Sequence, residues 1–366
     1  NTCIGGLAGD ALTDSGNNTA IGYGALSADT IGVNSTAIGY QALANQNFTT
    51  ATDSFNVAVG VNAGLDVTTG TINTFVGTFS GTNITSGNSN VAVGYLALST
   101  DTKGDRNVAL GVNALATQNF TTTTDSYNVA VGYDAGGAIT TGINNCFIGA
   151  LSGDAVTTAI SCTAVGTSAL GGSSGATTGR DNTAVGTAAG LNVTSGENNT
   201  LLGHDAGRTG SPGGVITTHS NQINFGDENV SEANIQVSLT VASDERDKTD
   251  FVNLDLGLDF VKALEPVTYY WDKRSKYGDK YADDYDLNAQ TPDGTHKEDW
   301  MDIGFKAQSV QALEEAAGYK MADKKNLTVS LTQDGKQYGL QYEKFIPILV
   351  KAIKDQDAII TALTAR

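Results

Sequence analysis

Three observations predict a mainly β chain in which a long β-solenoid shaft leads into a small α+β domain with a C-terminal coiled-coil helix. A short glycine-anchored unit returns at a nearly fixed interval between Asn1 and Gly203. Glycine, dense in that region, becomes sparse after Ser243, and the last helix-forming stretch carries a heptad pattern. A fixed period of about 20 residues marks a solenoid, because one turn is too small to bury its apolar side without neighbours above and below.

The unit has the form Asn-x-[Ala/Phe]-[Ile/Val]-Gly. Its twelve copies are anchored at Gly5, Gly22, Gly39, Gly60, Gly77, Gly94, Gly111, Gly132, Gly149, Gly166, Gly186 and Gly203. The interval from Gly5 to Gly22 recurs through most of the array, and three intervals are slightly longer: Gly39 to Gly60, Gly111 to Gly132 and Gly166 to Gly186. A superperiod is also present, since QNFTTATDSFNVAVG from Gln46 returns as QNFTTTTDSYNVAVG from Gln118. Short β-branched stretches broken by Gly, Asn, Thr and Ser favour strands over helices. Ile21, Ile38, Val59, Val76 and Val93, each one residue before its glycine, are expected to form an inward aliphatic ladder, with the glycine allowing a turn or a close approach of the next coil. At about 4.8 Å per strand, twelve coils make a rod roughly 60 Å long.

Few residues of the array carry chemistry. Asp53 and Asp125 sit one superperiod apart, which suits a repeated turn-capping role and not a unique catalytic pair. His204 and His219 read as ordinary polar surface residues. Tyr23, Tyr40, Tyr95 and Tyr133, each just after an anchor glycine, are expected to pack between coils, with stacking on sugars as the functional alternative. Cys3, Cys146 and Cys162 lack metal or disulfide spacing and read as reduced space-fillers. No cofactor or metal site is expected.

The shaft is assigned to residues 1–210. Ser211-Pro212-Gly213-Gly214 breaks the pattern, and residues 211–242 read as a β neck in which NQINFG and ANIQVSLTVA are strands. In residues 243–366, Leu254, Leu258, Val261 and Leu264 mark a helix stopped by Pro266. A strand over Val267–Trp271 follows, then a helix over Gly304–Ala317, then a hairpin from Leu327 to Tyr342 turning at Asp334-Gly335. Ile346, Leu349, Ile353, Gln356, Ile360 and Leu363 are spaced as a heptad seam, in which one buried amide can fix register or strand number. The bland alternative is a helix packed on its own domain. The acidic stretch from Asp279 to Asp299, with Asp283, Asp284 and Asp286, lacks the glycine and terminal glutamate of a calcium loop and reads as a solvated insertion.

Before Ser243 there are 4 basic and 16 acidic residues, and from Ser243 onward 17 and 23. Neither part has the basic stripe that would replace phosphate counterions, which excludes a nucleic-acid-binding role. No apolar run approaches the length that spans a bilayer, so membrane insertion is not expected. No signal peptide or lipidation motif is visible. Asn1 is not a start methionine and the repeat is already running there, so the chain is expected to be the C-terminal part of something longer.

The units over about residues 1 to 210 resemble the head repeats of YadA-like trimeric adhesins and similar arrays in bacteriophage tail fibres. That resemblance implies parallel β-rolls packed three chains around one axis. The length of the units departs from the adhesin pattern and leaves a single-chain β-helix open as well. Four ordered blocks of the C-terminal part carry a second resemblance: SDERDKTD from Ser243, GLDFVKALEPVTYYW from Gly257, DIGFKAQSVQALEE from Asp302 and LQYEKFIPILVKAIKDQ from Leu340. They resemble the endosialidase-type intramolecular chaperone domain, peptidase family S74. The resemblance implies a domain that trimerises, guides folding of the shaft, then cuts itself off. Carried onto this chain, the cleavage site is Ala242–Ser243, with Ser243 the nucleophile and Lys248 the base of a serine–lysine dyad in an autoproteolytic serine peptidase acting only on itself.

The chemistry is reasonable by itself. A hydroxyl beside its own preceding carbonyl needs only a suitable geometry and a proton acceptor. A lysine becomes that acceptor when burial brings its pKa down from about 10.4. Asp247 stands where the family usually has leucine, and an anion beside Lys248 favours its charged form. Asp244, Glu245 and Arg246 are expected to shape the turn by local pairing.

The two parts suit one another. Chains displaced by one superperiod would meet nearly the same surface, so the array specifies register poorly by itself. The expected protein is the distal part of a homotrimeric tail fibre on a virion, joined to upstream fibre or baseplate proteins and binding a host cell-surface glycan or protein receptor. The alternative is a bacterial trimeric surface adhesin or filament protein, extracellular, that keeps an uncleaved trimerisation module. A glycan-degrading spike would need a unique carboxylate cluster on the array, and the repeat offers none.

Overall fold

The computed structural model describes every residue except Ser174, Asp283 and Arg366; Asp283 of the acidic insertion therefore lies outside the described residues. The chain forms two compact units, Asn1–Asp227 and Glu228–Arg366.

In the first unit thirteen short strands pair in parallel in one continuous sheet, from Thr2–Ile4 to Ile223–Phe225. It is a parallel β-solenoid, as the repeat period requires, and its ladder runs past the Ser211–Gly214 break to include the NQINFG segment. Register is strict: Ala20 pairs with Ala37, Ala37 with Ala58 and Ala58 with Phe75.

The expected inward ladder is displaced by one residue. Ala20, Ala37, Ala58, Phe75 and Ala92 are fully buried, whereas Ile21, Ile38, Val59 and Val76 are half-buried and Val93 is exposed. Successive side chains of a strand point to opposite faces, so choosing the wrong one of two neighbours inverts the face. The interior is narrow and is completed from the other side of the coil by Leu26, Leu43, Leu98, Leu115 and Leu170, all fully buried. Where the strand instead carries Phe75 or Phe147, that second position is glycine. A Cβ on Gly81 would collide with the Phe75 ring, and one on Gly153 would lie 2.7 Å from Phe147. Interiors are packed to near-crystalline density, so bulk added on one side must be removed on the other.

The anchor glycines form a column of close backbone approaches. Gly111, at φ +139, would drive a Cβ into the carbonyl oxygen of Gly132. A buried asparagine column runs beside it. Asn56, Asn73 and Asn90 donate through Nδ2 to the carbonyls of Gly70, Gly87 and Gly104 at 2.7–2.9 Å. Their Oδ1 atoms accept the backbone N–H of Asn73, Asn90 and Asn107, each at 2.9 Å. Every such coil thereby satisfies buried backbone groups of the next. Cys162 occupies one place in this column; its N–H donates to Asn145 Oδ1 at 2.9 Å and its thiol to the Gly179 carbonyl at 3.3 Å. Burial pushes that thiol up to about 11. All three cysteines are free, and Cys3, unlike a space-filler, is exposed.

The two longer coils that share the superperiod are built alike. Gln46 Nε2 donates to buried Asp29 at 2.7 Å and Gln118 Nε2 to buried Asp101 at 2.6 Å. Gly32–Val33 pairs with Thr52–Asp53, and Gly104–Asp105 with Thr124–Asp125. Asp53 accepts from Asn34 Nδ2 at 2.6 Å and Asp125 pairs with Arg106, so these carboxylates bridge coils instead of capping turns.

The second unit packs helix α1 (Leu258–Ala263), α2 (Ala307–Ala316) and α3 (Phe345–Thr364) around Leu256, Phe260, Val310, Val329, Phe345 and Ile348. Val267–Tyr270 pairs antiparallel with Met301–Gly304, and Val329–Leu331 with Tyr338–Leu340 across the expected hairpin. Buried Glu314 on α2 accepts from the N–H of Leu327 and of Thr328 at 3.1 and 2.7 Å, tying the hairpin to the helix. Asp355 on α3 accepts from Leu258 N–H at 3.2 Å and so caps α1. The ANIQVSLTVA segment is not a strand; Ala233–Ala242 is exposed throughout.

Candidate functional site

The SDERDKTD segment is a self-contained turn. Asp244 accepts from the Arg246 backbone N–H at 2.9 Å and initiates one 3-10 turn over Glu245–Asp247. The Arg246 guanidinium returns to the same carboxylate through Nε at 3.0 Å and a terminal nitrogen at 2.6 Å. That hydrogen bonding holds the Asp244 carboxyl below its ordinary range and raises the guanidinium in turn. Lys248 N–H closes the turn on the Glu245 carbonyl at 3.1 Å. The expected shaping role of Asp244 and Arg246 is thus visible in their bonds.

Closing the turn carries Lys248 back over Ser243. Lys248 Nζ donates to Ser243 Oγ at 2.6 Å and to the Ser243 carbonyl at 3.2 Å. Both hydrogen bonds of the ammonium go to Ser243, although Asp247 is its sequence neighbour. The hydroxyl and the amine are within the reach that proton transfer requires. Two parts of a working site are not supplied by the single chain. Ala242, Ser243 and Lys248 are exposed to water, and among the described residues no group donates to the Ala242 carbonyl, where negative charge would develop.

Elsewhere on the shaft, His204, Asp205 and Asp227 bring three ligand-type atoms within 4.8 Å of one another. Asp205 is ion-paired with Arg208 at 2.8 Å, and His204 Nδ1 lies 3.3 Å from an Asp227 oxygen. Tyr23 and Tyr40 stack between coils at 5.8 Å and 12°, as packing predicts, yet each leaves about half its surface in water. Among the described residues no helix is long and apolar enough to cross a membrane.

Residues 243–319 match the family model described as chaperone of endosialidase, peptidase family S74. No curated protein and no solved structure matches the chain. The match begins at Ser243 and covers three of the four blocks noted in the sequence, and together with the β-solenoid it fits a tail fibre ending in an endosialidase-type chaperone domain. The likeness of the shaft to adhesin head repeats rests on the repeat residues alone.

Proposed function

We propose that this chain is the distal part of a homotrimeric tail fibre whose C-terminal domain aligns three copies, directs folding of the solenoid and cuts itself away at Ala242–Ser243. The observation that carries the reading is the 2.6 Å contact between Lys248 Nζ and Ser243 Oγ at the first residue of the chaperone match. In the cut, deprotonated Lys248 takes the Ser243 Oγ proton as Oγ bonds to the Ala242 carbonyl carbon. The Ala242–Ser243 C–N bond then breaks, with the proton passing to the leaving amine. Water hydrolyses the resulting ester, giving a new C-terminal carboxylate at Ala242 and restoring the Ser243 hydroxyl.

Two uncovered faces support assembly of copies. On the shaft, Ile4, Val93, Ile148 and Val185 belong to an outward column beside exposed Tyr23, Tyr40, Tyr95 and Tyr133. On α3, Ile346, Leu349, Ile353, Ile360 and Leu363 of the heptad seam are 45–64% exposed, while Phe345, Ile348 and Ala352 are buried on the domain's own side. Exposed apolar surface of this kind marks association. The mature fibre attaches to a host cell-surface glycan or protein, is carried on the virion, and joins upstream fibre or baseplate proteins. Asp247 beside the base favours a second reading, a surface adhesin that keeps its trimerisation module.

Intact-mass and native-mass measurements on the wild type beside Ser243→Ala and Lys248→Ala test the proposal. The expected result is a trimeric wild type cut at Ala242–Ser243 and both variants trimeric and whole. A wild type that trimerises and stays whole sinks the peptidase claim in favour of the adhesin, and a monomer sinks both.

A further inference from the structure

We infer that the two longer coils of the superperiod carry a repeated binding site for a neutral polysaccharide, built on Asp53 and Phe55 in one coil and on Asp125 and Tyr127 in the other. The inference rests on the attachment role proposed above and names the ligand and where it lies. Asn17, Asn34, Asn144, Asn198 and Asn221 stand just before the buried asparagine column, in left-handed backbone at φ +55 to +63. Asparagine accepts that conformation readily. These side chains also serve the shaft, since Asn17 Nδ2 donates to Asn34 Oδ1 at 3.1 Å and Asn198 Nδ2 to Asn221 Oδ1 at 2.8 Å. At the same place in their coils, Phe55 and Tyr127 hold φ +48 and β-branched Ile72 holds φ +61. Bulky side chains are strained there. Burial does not offset the strain, because Phe55 is 53%, Tyr127 48% and Ile72 57% exposed. Backbone strain without a packing reward points to a site of function.

Each ring stands beside a carboxylate. Along Asp53, Ser54, Phe55 and Asn56 exposed and buried residues alternate, so Asp53 and Phe55 point outward together, and Asp125 and Tyr127 do the same. Asn34 of the preceding coil donates to Asp53 Oδ1 at 2.6 Å, and among the described residues no group donates to Oδ2. In the second copy Arg106 takes the place of Asn34, pairing with Asp125 and lying 5.5 Å from the centre of the Tyr127 ring. An aromatic face rimmed by an acceptor and a donor suits a pyranose ring, which offers C–H groups on its face and hydroxyls on its edge. Each site sets an aspartate on a chain of formal net charge −18, which disfavours an acidic sugar and selects a neutral one.

The spacing identifies the ligand as a chain of sugars. Ile72 extends the first platform by one coil, but the same position then carries Ser89, and beyond Tyr127 it carries Asn144 and Ser161. The rings are isolated platforms. A second copy of this chain lying alongside would be met along the whole length, as the outward column beside the anchor glycines allows, and not at two points. Phe55 and Tyr127 are four coils apart, about 19 Å at the strand spacing. A polymer that presents the same sugar at regular intervals occupies both platforms at once, and its second contact forms at high effective concentration.

Asparagine supplies the test, because Phe55→Asn and Tyr127→Asn remove a ring and relieve the backbone in the same step. The full wild-type chain, both single variants and the double variant are applied to an array of neutral hexose and N-acetylhexosamine oligomers long enough to span both sites, beside sialylated ones. Melting temperature and native mass are read on the same samples. The wild type is expected to bind a neutral oligomer, each single variant to bind it at least about tenfold more weakly, and the double variant to lose it. All three variants should keep the assembly state of the wild type and melt at or above its temperature. Wild-type binding to sialylated oligomers alone or to none, or undiminished binding by the double variant, overturns the inference. A lower melting temperature in the variants would assign the rings to the stability of the shaft, and dissociation of the double variant would assign them to an interface between copies; either result overturns it as well. None of these outcomes touches the fibre proposal, which fails separately if the wild type is monomeric.

Discussion

At the residue scale the shaft is governed by a trade of volume across a narrow interior. Phe75 faces Gly81 of its own coil and Gly64 of the preceding one, whose inward strand residue is Ala58, while the following coil opposes Ala92 with Leu98, so the large ring is met by small residues around it. Phe75→Ala alone is expected to cost about 3–5 kcal/mol. Adding Gly81→Leu should recover a good part of it, by converting the coil to the Ala–Leu type; equal melting temperatures for single and double variants would refute the complementarity. Gly111→Ala cannot be relieved in this way, because both its φ and the facing Gly132 backbone oppose a side chain. Backbone strain of this kind is about 1–3 kcal/mol by itself, and a clear fall in melting temperature is expected. Asp154 offers a pH test. Burial, then the nearby Asp134 carboxylate, push its carboxyl up to about 6, and one of its oxygens is buried without a partner among the described residues. An unfolded chain releases this proton near the ordinary carboxylate value, so the site's contribution is greatest in acid, declines as pH rises through about 4 to 6, and stays low above that. Asp154→Asn should thus stabilise the shaft more at pH 8 than at pH 4.5, measured as the difference in melting temperature from wild type. The anchor glycines were legible in the sequence from their period, but the inward residue was not. Ile and Val look like core beside Ala, and only the width of the coil, a property of the closed structure, decides that the smaller residue goes inside.

At the element scale, local signals located most of the pieces. Pro266 ends α1 near its expected place, Asp334-Gly335 turns the hairpin, and the heptad positions fall on α3. Spacing alone left open whether the seam faces the domain or water, and burial answers this: Phe345, Ile348 and Ala352, each one step before a seam residue, are the ones buried. Ile353→Glu should therefore abolish the trimer in native mass analysis while leaving far-ultraviolet helix content unchanged. Phe345→Ala, on the buried side of the same helix, should instead lower thermal stability by about 3–5 kcal/mol. The Ala233–Ala242 segment marks the opposite outcome, a clear strand pattern without a strand. Pattern reports which face a segment tends to bury, and a single chain holds nothing for it to be buried against. The dyad turn was legible only through resemblance to a family, since no periodicity announces that Lys248 will fold back on Ser243.

At the scale of the whole molecule, the parallel register means that most coils ask the same things of their neighbours: a backbone carbonyl, an asparagine oxygen and an inward residue of compatible size. The coil anchored at Gly39 and the coil anchored at Gly111 present equivalent faces to their successors, anchored at Gly60 and Gly132. Excising residues 40–111 should leave a folded shaft shorter by four coils, about 19 Å at the strand spacing. Small-angle scattering and melting temperature check this; a collapse in stability would mean that coils are not interchangeable. Peptide stretches as alike as those at Gln46 and Gln118 are encoded by correspondingly similar DNA wherever codon usage has not drifted apart. Unequal recombination between the two would lengthen or trim the fibre by whole superperiods, giving a lineage a ruler whose graduations are set by protein geometry and whose reading can change in a single genetic event.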